Sequence, residues 1–168
     1  MTGRYPHNTG APELHTEPPL DMISLAEELK KGGYYTVSSG KFHLGDYVRR
    51  GFDMIYEERD VNGPGGEDKW VSNLEERPMN KPFFLWYASY DAHRDWGLNE
   101  FSGTHEVNKL IPPEYLIDDK PTRLDLANYY DEIKRFDYSI GQVVETLKKQ
   151  NVFENTFIII MADNGRPF

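Results

Sequence analysis

Three short polar segments of the chain each follow an apolar run and carry side chains suited to chemistry. They are residues 40–45 (GKFHLG), residues 91–94 (DAHR) and residues 163–165 (DNG). Together they supply a Lys, two His, an Arg, two Asp and an Asn. Such a set suits anion binding, proton transfer and ligation of a hard metal ion. If the apolar runs are parallel strands, their carboxyl ends meet at one edge of a sheet, where ligands bind in open α/β folds.

Each segment alone also has an ordinary structural explanation. Lys41 fits a solvated loop lysine, and His43 fits a core histidine that bonds to the backbone. Residues 91–94 fit a loop with a local ion pair. Residues 163–165 fit a turn, because Asp, Asn and Gly all favour turns. Three unrelated turns rarely all carry such groups at one sheet edge, so the joint placement favours a shared site.

The apolar runs predict the fold class. Residues 34–37 (YYTV), 83–90 (FFLWYASY) and 156–162 (TFIIIMA) predict three buried strands. The second run is apolar at both alternate sets of positions, which is typical of a strand covered on both faces. With helices between the strands, we expect an α/β fold whose sheet is largely parallel, or mixed, and sandwiched by helices.

Two helices are predicted between these strands. Helical spacing over residues 20–31 predicts the first, with Gly32 and Gly33 as its stop. The second is predicted to begin at Thr122, which has capping-box spacing to Asp125, and to end at Asn151. Two polar stretches, residues 46–81 and 91–121, lack periodicity. They are either functional loops or elements that the pattern does not reveal.

Asp137 interrupts the apolar stripe of the second predicted helix between two isoleucines. Two interpretations stay open. In the first, the drift interpretation, the apolar stripe winds gradually around the helix and Asp137 lies at its solvent-exposed edge. In the second, Asp137 is buried and must then be paired with hydrogen-bond donors.

Composition limits the function classes. The chain has 168 residues and a formal net charge of −9, which disfavours a general nucleic-acid binder. It contains no Cys, so disulfides, thiolate metal sites and a Cys nucleophile are excluded from it. No apolar run reaches about 18 residues, so we expect no membrane span. The length fits one domain or a piece of a larger one.

The order of four motifs resembles that of type I sulfatases, which belong to the alkaline-phosphatase-like superfamily. The motifs are residues 2–7 (TGRYPH) and the three polar segments described above. The resemblance covers residues 1–168, which look like the middle part of a sulfatase catalytic domain, with an incomplete alkaline-phosphatase-like core. The segment around Pro112-Pro113, residues 123–137 and residues 163–168 most resemble the heparan N-sulfatase branch of the family. Phe42 and Ala92 stand where Trp and Pro are more usual.

The resemblance implies a role for each candidate residue. Lys41 matches the lysine that bridges sulfate and nucleophile, and His43 matches the histidine that orients the nucleophile. His93 matches the histidine on the leaving-group side. Arg94 and His7 are weaker candidates for substrate contact.

Asp163 and Asn164 match two ligands of the divalent cation that the family uses, usually Ca²⁺, and both offer hard oxygens. The implied substrate is a sulfated small molecule or glycan, and the implied compartments are periplasmic, secreted or lysosomal.

The family's nucleophile motif, Cys or Ser followed by Pro two residues on, is not present in the sequence. The resemblance also implies a further strand with an Asp pair and a later basic residue, and neither is recognised. We therefore expect a fragment that is inactive alone and that self-associates through open sheet edges. The alternatives are a phosphatase or phosphodiesterase of the same superfamily, or a non-catalytic carbohydrate- or protein-binding module rich in Trp and Tyr.

Overall fold

The computed structural model describes residues 1–13 and 15–166. Four helices lie in this part of the chain: α1 (Leu25–Lys31), α2 (Arg59–Asn62), α3 (Trp70–Glu76) and α4 (Lys120–Lys149). Three strands accompany them: β1 (Tyr35–Gly40), β2 (Met54–Tyr56) and β3 (Phe83–Ala88). Short 3₁₀ turns occupy Pro6–Asn8, Asp46–Gly51, Val107–Lys109 and Phe153–Asn155.

The three described strands form one parallel sheet in the order β2-β1-β3. Tyr35 pairs with Phe83 and Gly40 pairs with Ala88, so β1 and β3 end level with each other. The predicted α/β class and parallel sheet are confirmed. The level ends place the segments that follow β1 and β3 at the same edge, as the sequence predicts.

An apolar cluster packs α1 against β1 and the 3₁₀ turn that follows it. It comprises Ala26, Tyr47, Val48 and Phe52, all at most 5% exposed. Helix α1 begins later than predicted, because the side chain of Ser24 accepts a hydrogen bond from the Glu27 N–H at 3.2 Å and caps the helix there. It ends at Lys31, and Gly33 follows with a φ of +88°, so the predicted glycine stop is confirmed.

Helix α4 also begins at a different cap from the one predicted. Its N-cap is Asp119, whose side chain accepts a hydrogen bond from the Thr122 N–H at 2.9 Å, and Thr122 itself lies inside the helix. Pro121 in the first turn supports this earlier start, since proline is well tolerated there. The end is as predicted: the helix stops before Asn151, which has a φ of +57°.

The predicted third strand is wrong. Residues 156–162 form no helix and no ladder with the described strands. Phe157 is 89% exposed and Ile159 is 69% exposed. An apolar segment becomes a strand only where another strand offers it hydrogen bonds, and none of the described strands pairs with this one.

The polar stretch 46–81 contains elements that its pattern does not reveal: β2, α2 and α3. The stretch 91–121 is mostly irregular, with a single 3₁₀ turn at Val107–Lys109. Asp137 is exposed and makes no hydrogen bond to a described residue. The drift interpretation therefore stands, and the interpretation of a buried, paired Asp137 is wrong.

Candidate active site

The site is built where β1 and β3 end side by side. The backbone N–H of Lys41 donates to the carbonyl oxygen of Ala88 at 2.8 Å. Gly40 makes this approach possible: its φ is +98°, and a Cβ there would lie 2.0 Å from the Ala88 oxygen. The segments that follow β1 and β3 therefore leave the sheet at the same edge, and Lys41 lies next to the segment that carries His93.

Two adjoining cavities open at this edge, and Lys41 lines both. The first has a volume of about 650 Å³ and also contains His43 in its lining. The second has a volume of about 370 Å³ and is lined by His93 and Arg94 among others. The structure thus brings together four of the seven sequence-predicted site residues around one basic side chain.

Positive charge in the first cavity comes from three side chains that differ in how far they are already paired with other groups of the protein. The Arg49 guanidinium is held by Glu57 at 3.0 and 2.9 Å and by Asp46 at 2.7 Å. The Lys41 ammonium, in contrast, makes no hydrogen bond or ion pair with a described residue, so it is available to an anion. Arg59, which lines both cavities, stacks over the Tyr90 ring at 4.2 Å from its centroid.

His43 is exposed at the rim of the first cavity and has a histidine neighbour. Its Nε2 lies 3.4 Å from Nδ1 of His15, so one of the two rings must donate to the other. His15 belongs to a segment far away in the sequence, and nothing in the local pattern around it predicts this contact.

His93 and Arg94 leave β3 toward the second cavity. Nδ1 of His93 lies 2.5 Å from the carbonyl oxygen of Arg94. A carbonyl oxygen only accepts, so Nδ1 carries the proton and Nε2 is left to exchange protons with a ligand. The Arg94 guanidinium donates to Asp125 at 2.7 Å and lies 5.1 Å from the Trp96 ring centroid, so part of its charge is already committed.

A charged cluster lies directly behind the second cavity. It comprises Glu67, Asp91, Glu132 and Arg135, whose side chains are all largely buried. Arg135 makes two hydrogen bonds of 2.7 Å to Asp91 and lies 3.5 Å from Glu67. Both of these hydrogen bonds go to Asp91, so the positive charge of Arg135 only weakly offsets the negative charge of the Glu67 carboxylate. Burial, with the nearby negative charge of Asp91, raises the pKa of Glu67 to about 7.

The loop beyond His93 is held down by carboxylates of α4. Asp131 accepts hydrogen bonds from the Gly103 N–H at 2.7 Å and the Thr104 hydroxyl at 2.8 Å, and it pairs with His105 at 2.7 Å. Glu132 accepts from the Gly97 N–H at 2.8 Å. Burial raises the pKa of Glu132, while its backbone contacts to Gly97 and His93 oppose this shift. The middle of α4 therefore anchors the wall of the second cavity.

Three predicted site residues lie away from the cavities. His7 is exposed in the Pro6–Asn8 turn and stacks on Tyr5 with ring centroids 5.6 Å apart. Asp163 and Asn164 are exposed, and the Asn164 amide donates to the Gly165 carbonyl. Two residues later, Arg166 pairs with Asp125, which also pairs with Arg94, so this segment passes near the second cavity.

The described residues alone do not form a metal site. In residues 1–13 and 15–166, no group of three or more His, Asp or Glu side chains is placed to hold an ion. Asp163 and Asn164 have oxygens suited to Ca²⁺, but two residues make only part of a shell of six to eight oxygens.

Sequence reasoning missed the charged cluster, apart from Asp91, and it also missed Arg59. One signal was available in α4. Its buried positions Leu126 and Ala127 continue at helical spacing to Asp131, Glu132 and Arg135. Charged residues in register with a buried face indicate a polar interior. The predicted apolar stripe runs instead through Ile133, which is 38% exposed.

A family model described as Sulfatase matches residues 1–168. The chain belongs to the sulfatase family. This confirms the resemblance that the four motifs indicate. Human N-sulphoglucosamine sulphohydrolase is 27% identical over 201 aligned residues, covering 100% of this chain and 40% of the relative. An ulvan-active sulfatase of Formosa agariphila is 24% identical and covers 99% of this chain and 34% of the relative. The chain thus spans about 40% or less of the length of these curated sulfatases.

Solved structures show the same fold. One, from work on the metabolism of multiple glycosaminoglycans by Bacteroides thetaiotaomicron, superposes with a TM-score of 0.69 at 16% identity and covers 90% of this chain and 44% of that one. The structure of Ps i-CgsB in complex with k-i-k-neocarrahexaose gives a TM-score of 0.65 at 20% identity and covers 92% of this chain and 44% of that one. The incomplete core predicted from the sequence agrees with these partial coverages.

Proposed function

We propose that this chain forms the sulfuryl-binding and leaving-group side of a sulfatase active site. The whole protein would hydrolyse a sulfate ester or a sulfamate on a glycan. The observation that carries the proposal is the position of Lys41, which lines both cavities, with His43 in one and His93 in the other. A sulfuryl group beside Lys41 would have a histidine on either side.

Lys41 would neutralise charge on the sulfuryl oxygens. Its ammonium is uncommitted among the described residues, so it can bind an anion without first breaking an ion pair. A preorganised cation at the position where negative charge develops favours the transition state over the bound substrate. His43, at the rim of the first cavity, would orient the attacking group, with His15 holding its ring at 3.4 Å.

His93 would act as general acid. When the S–O or S–N bond breaks, the leaving oxygen or nitrogen needs a proton. The Nε2–H of a doubly protonated His93 would supply it, and the neutral ring would keep its other proton on Nδ1, bonded to the Arg94 carbonyl. Arg94 would contact the substrate only after sharing or leaving Asp125. The proposed roles of His7 and of Asp163 and Asn164 find less support, since these residues lie outside both cavities.

The sulfatase family generally uses a divalent cation, which would supply Lewis-acid activation. Asp163 and Asn164 would provide only part of its shell of oxygens. Calcium as its identity stays a prediction, as do export of the protein and self-association through open sheet edges. No helix in the described part of the chain is long and apolar enough to cross a membrane.

Binding of inorganic sulfate tests the anion site directly. We expect the purified chain to bind sulfate at the first or second cavity, seen as amide shifts of residues around Lys41 in NMR titrations. Lys41→Ala should weaken this binding at least tenfold, whereas Lys148→Ala, which removes an exposed lysine of α4, should leave it unchanged. Sulfate binding that is indifferent to Lys41→Ala would overturn the proposal.

Two further measurements separate the alternatives. A phosphatase or phosphodiesterase site would bind inorganic phosphate more tightly than sulfate at the same residues. A carbohydrate-binding module would bind a neutral sugar such as N-acetylglucosamine in a manner that does not depend on Lys41. Since the sequence contains no nucleophile motif, we expect no turnover of an aryl sulfate or N-sulfoglucosamine by this chain, and turnover well above background would contradict that expectation.

A further inference from the structure

Arg59 is an arginine of the site that has no carboxylate partner among the described residues. Four arginines line the two cavities: Arg49, Arg59, Arg94 and Arg135. The other three each pair with a carboxylate oxygen at 2.7–2.9 Å. The Arg59 guanidinium makes no hydrogen bond or ion pair with a described residue. The chain has 28 Asp and Glu against 19 Lys and Arg, so a shortage of acidic side chains does not explain the free guanidinium.

Arg59 is held in place without being neutralised. Its guanidinium carbon lies over the Tyr90 ring, 4.2 Å from the ring centroid. The ring itself is fixed, because the Tyr90 hydroxyl donates to the Glu57 carbonyl oxygen and the Tyr90 N–H donates to the Gly65 carbonyl oxygen, both at 2.8 Å. An aromatic face attracts a cation without offering a carboxylate or another strong acceptor. The N–H donors and the charge of Arg59 therefore remain for a ligand.

The backbone that carries Arg59 is also fixed. Asn62, in the same short helix α2, is 0% exposed. Its side-chain NH₂ group donates to the carbonyl oxygens of Tyr56 and Glu58, both at 2.9 Å, and its side-chain oxygen accepts from the Ser39 hydroxyl at 2.8 Å. These bonds tie α2 to the ends of β1 and β2. A ligand that binds Arg59 therefore has little backbone to order, which lowers the cost of binding.

The site has room and charge for more than one anionic group. Lys41 lines both cavities with Arg59, and the proposed function assigns it to the sulfuryl group. A sulfuryl group is one sulfur with three oxygens, whereas the cavities measure about 650 and 370 Å³, within the range of pockets that enclose a whole small molecule. Two uncompensated cations in adjoining cavities favour a ligand with two negative charges. A free guanidinium fits a carboxylate or a sulfate, because both present two oxygens to its planar fork.

We propose that Arg59 binds a second anionic group, a carboxylate or another sulfate, on the glycan whose scissile sulfuryl group lies beside Lys41. This inference rests on the proposed function, because it uses Lys41 to place the sulfuryl group. Arg59 is then a residue that determines specificity: it selects a glycan with at least two anionic groups over a sugar with a single sulfate.

The test compares ligands with one and with two anionic groups by NMR titration of the full chain. The singly charged sugar is N-sulfoglucosamine, and inorganic sulfate is the reference for the Lys41 site. Two ligands add a second group: N-sulfoglucosamine 6-sulfate adds a sulfate, and the disaccharide of glucuronic acid with N-sulfoglucosamine adds a carboxylate. The same disaccharide with its carboxylate reduced to an alcohol separates the effect of charge from the effect of size.

Three variants accompany the wild type. Arg59→Gln removes the charge, and Arg59→Lys keeps the charge but loses the planar fork. Arg123→Gln is the matched control, because Arg123 pairs with Asp118 at the surface and lies outside both cavities. Arg59 is exposed, so its replacement should leave the fold intact. Binding of N-sulfoglucosamine by Arg59→Gln as in wild type shows that the variant is folded.

We expect wild type to bind at least one of the two doubly charged ligands about tenfold more tightly than N-sulfoglucosamine. The ligand that it prefers identifies the second group as a sulfate or a carboxylate. The reduced disaccharide should bind no more tightly than N-sulfoglucosamine. Arg59→Gln should abolish the preference, Arg59→Lys should keep part of it, and Arg123→Gln should leave it unchanged.

Three results would overturn the role of Arg59 while sulfate binding through Lys41 keeps the proposed function. Wild type binds singly and doubly charged ligands equally, or its preference survives Arg59→Gln, or Arg59→Gln weakens binding of inorganic sulfate as strongly as Lys41→Ala does. The last result would mean that Arg59 shares the sulfuryl group with Lys41. If wild type binds neither sulfate nor any of the sulfated sugars, the proposed function fails and the inference fails with it.

Discussion

The apolar cluster beneath β1 and the charged cluster behind the second cavity are both buried, but they stabilise the protein in different ways. In the apolar cluster, Val48 is 0% exposed and Phe52 is 5% exposed, and neither has a polar group in its side chain. In the charged cluster, Glu132 is 3% exposed and Arg135 is 7% exposed. The first gains free energy from the area it removes from water, whereas the second only offsets the cost of burying charge.

The difference between the two clusters indicates which part of the chain serves the site at some cost in stability. The apolar cluster packs α1 against the 3₁₀ turn Asp46–Gly51. The charged cluster forms the wall of the second cavity, where Asp91 directly precedes the segment that carries His93. Apolar residues of similar volume would often stabilise such a wall as well or better, so charges retained there indicate a role in positioning. The comparison predicts that the two clusters respond differently to truncation and to pH.

Loss of Arg135 should have the largest effect. Arg135→Ala leaves Asp91 and Glu67 buried without their cation, and breaking a buried pair in this way typically costs about 4 kcal/mol. Denaturant unfolding at pH 7 measures the loss. Arg123→Ala is the matched control, because Arg123 pairs with Asp118 at the surface and should matter little. A cost for Arg135→Ala as small as that of the control would show that the charged cluster is solvated.

Truncation in the apolar cluster should cost slightly less and should not depend on pH. Phe52 stacks on Phe84 with ring centroids 6.3 Å apart, and Phe52→Ala should lower the free energy of unfolding by about 3 kcal/mol. The same loss is expected at pH 5 and pH 8, because no ionisable group of the cluster titrates in that range. Leu98→Ala, at a residue 93% exposed, should be nearly neutral. If the loss of unfolding free energy caused by Phe52→Ala depended strongly on pH, the two clusters would not differ in the way proposed.

Titration of the charged cluster should make the whole protein less stable at higher pH. The pKa of Glu67 is about 7 in the folded chain against an ordinary value of 4.5, so the folded state holds a proton that the unfolded state has lost. Stability is therefore fully present below about pH 4.5 and falls as pH rises to about 7. Each unit of pKa difference is worth about 1.4 kcal/mol, so a rise from 4.5 to about 7 corresponds to about 3 kcal/mol of this linkage.

Glu67→Gln should flatten this part of the stability profile and stabilise the protein at pH 8. Glu75→Gln, at an exposed position of α3, should leave the profile unchanged. Denaturant melts at half-unit pH steps from 4.5 to 8 measure both. A wild-type profile that rises toward pH 7 would show that Glu67 is ionised in the folded chain and that Arg135 compensates both carboxylates.

The smallest effect is expected at Asp137, two residues beyond Arg135 on the same helix. Asp137 is exposed and without a partner among the described residues, so Asp137→Ala should change the free energy of unfolding by no more than about 0.5 kcal/mol. Asp131→Ala, which leaves the Gly103 N–H and Thr104 hydroxyl unpaired, should cost clearly more in the same melts. A large cost at Asp137 would place it in the charged cluster after all.

Local chemistry made much of the fold predictable. Glycine and asparagine adopt positive φ more easily than other residues, so the stops at Gly33 and Asn151 were predicted correctly. The helix starts were less certain, because several side chains near each start can cap. Ser24 and Asp119 took those positions, and Thr122, the predicted cap of α4, lies inside the helix and donates its N–H to Asp119.

The sequence by itself determined β1 and β3, the α/β class and the meeting of residues 40–45 with residues 91–94 at one sheet edge, because apolar runs and turn residues act over a few neighbours. The tertiary structure alone decided which charges are buried and which apolar residues are not. Glu132 and Arg135 face inward because α4 packs against α3, and their side chains bond to Gly97 and Asp91 in the segment that follows β3. Residues 156–162 stay exposed because strand pairing needs a second chain segment that their own pattern does not supply.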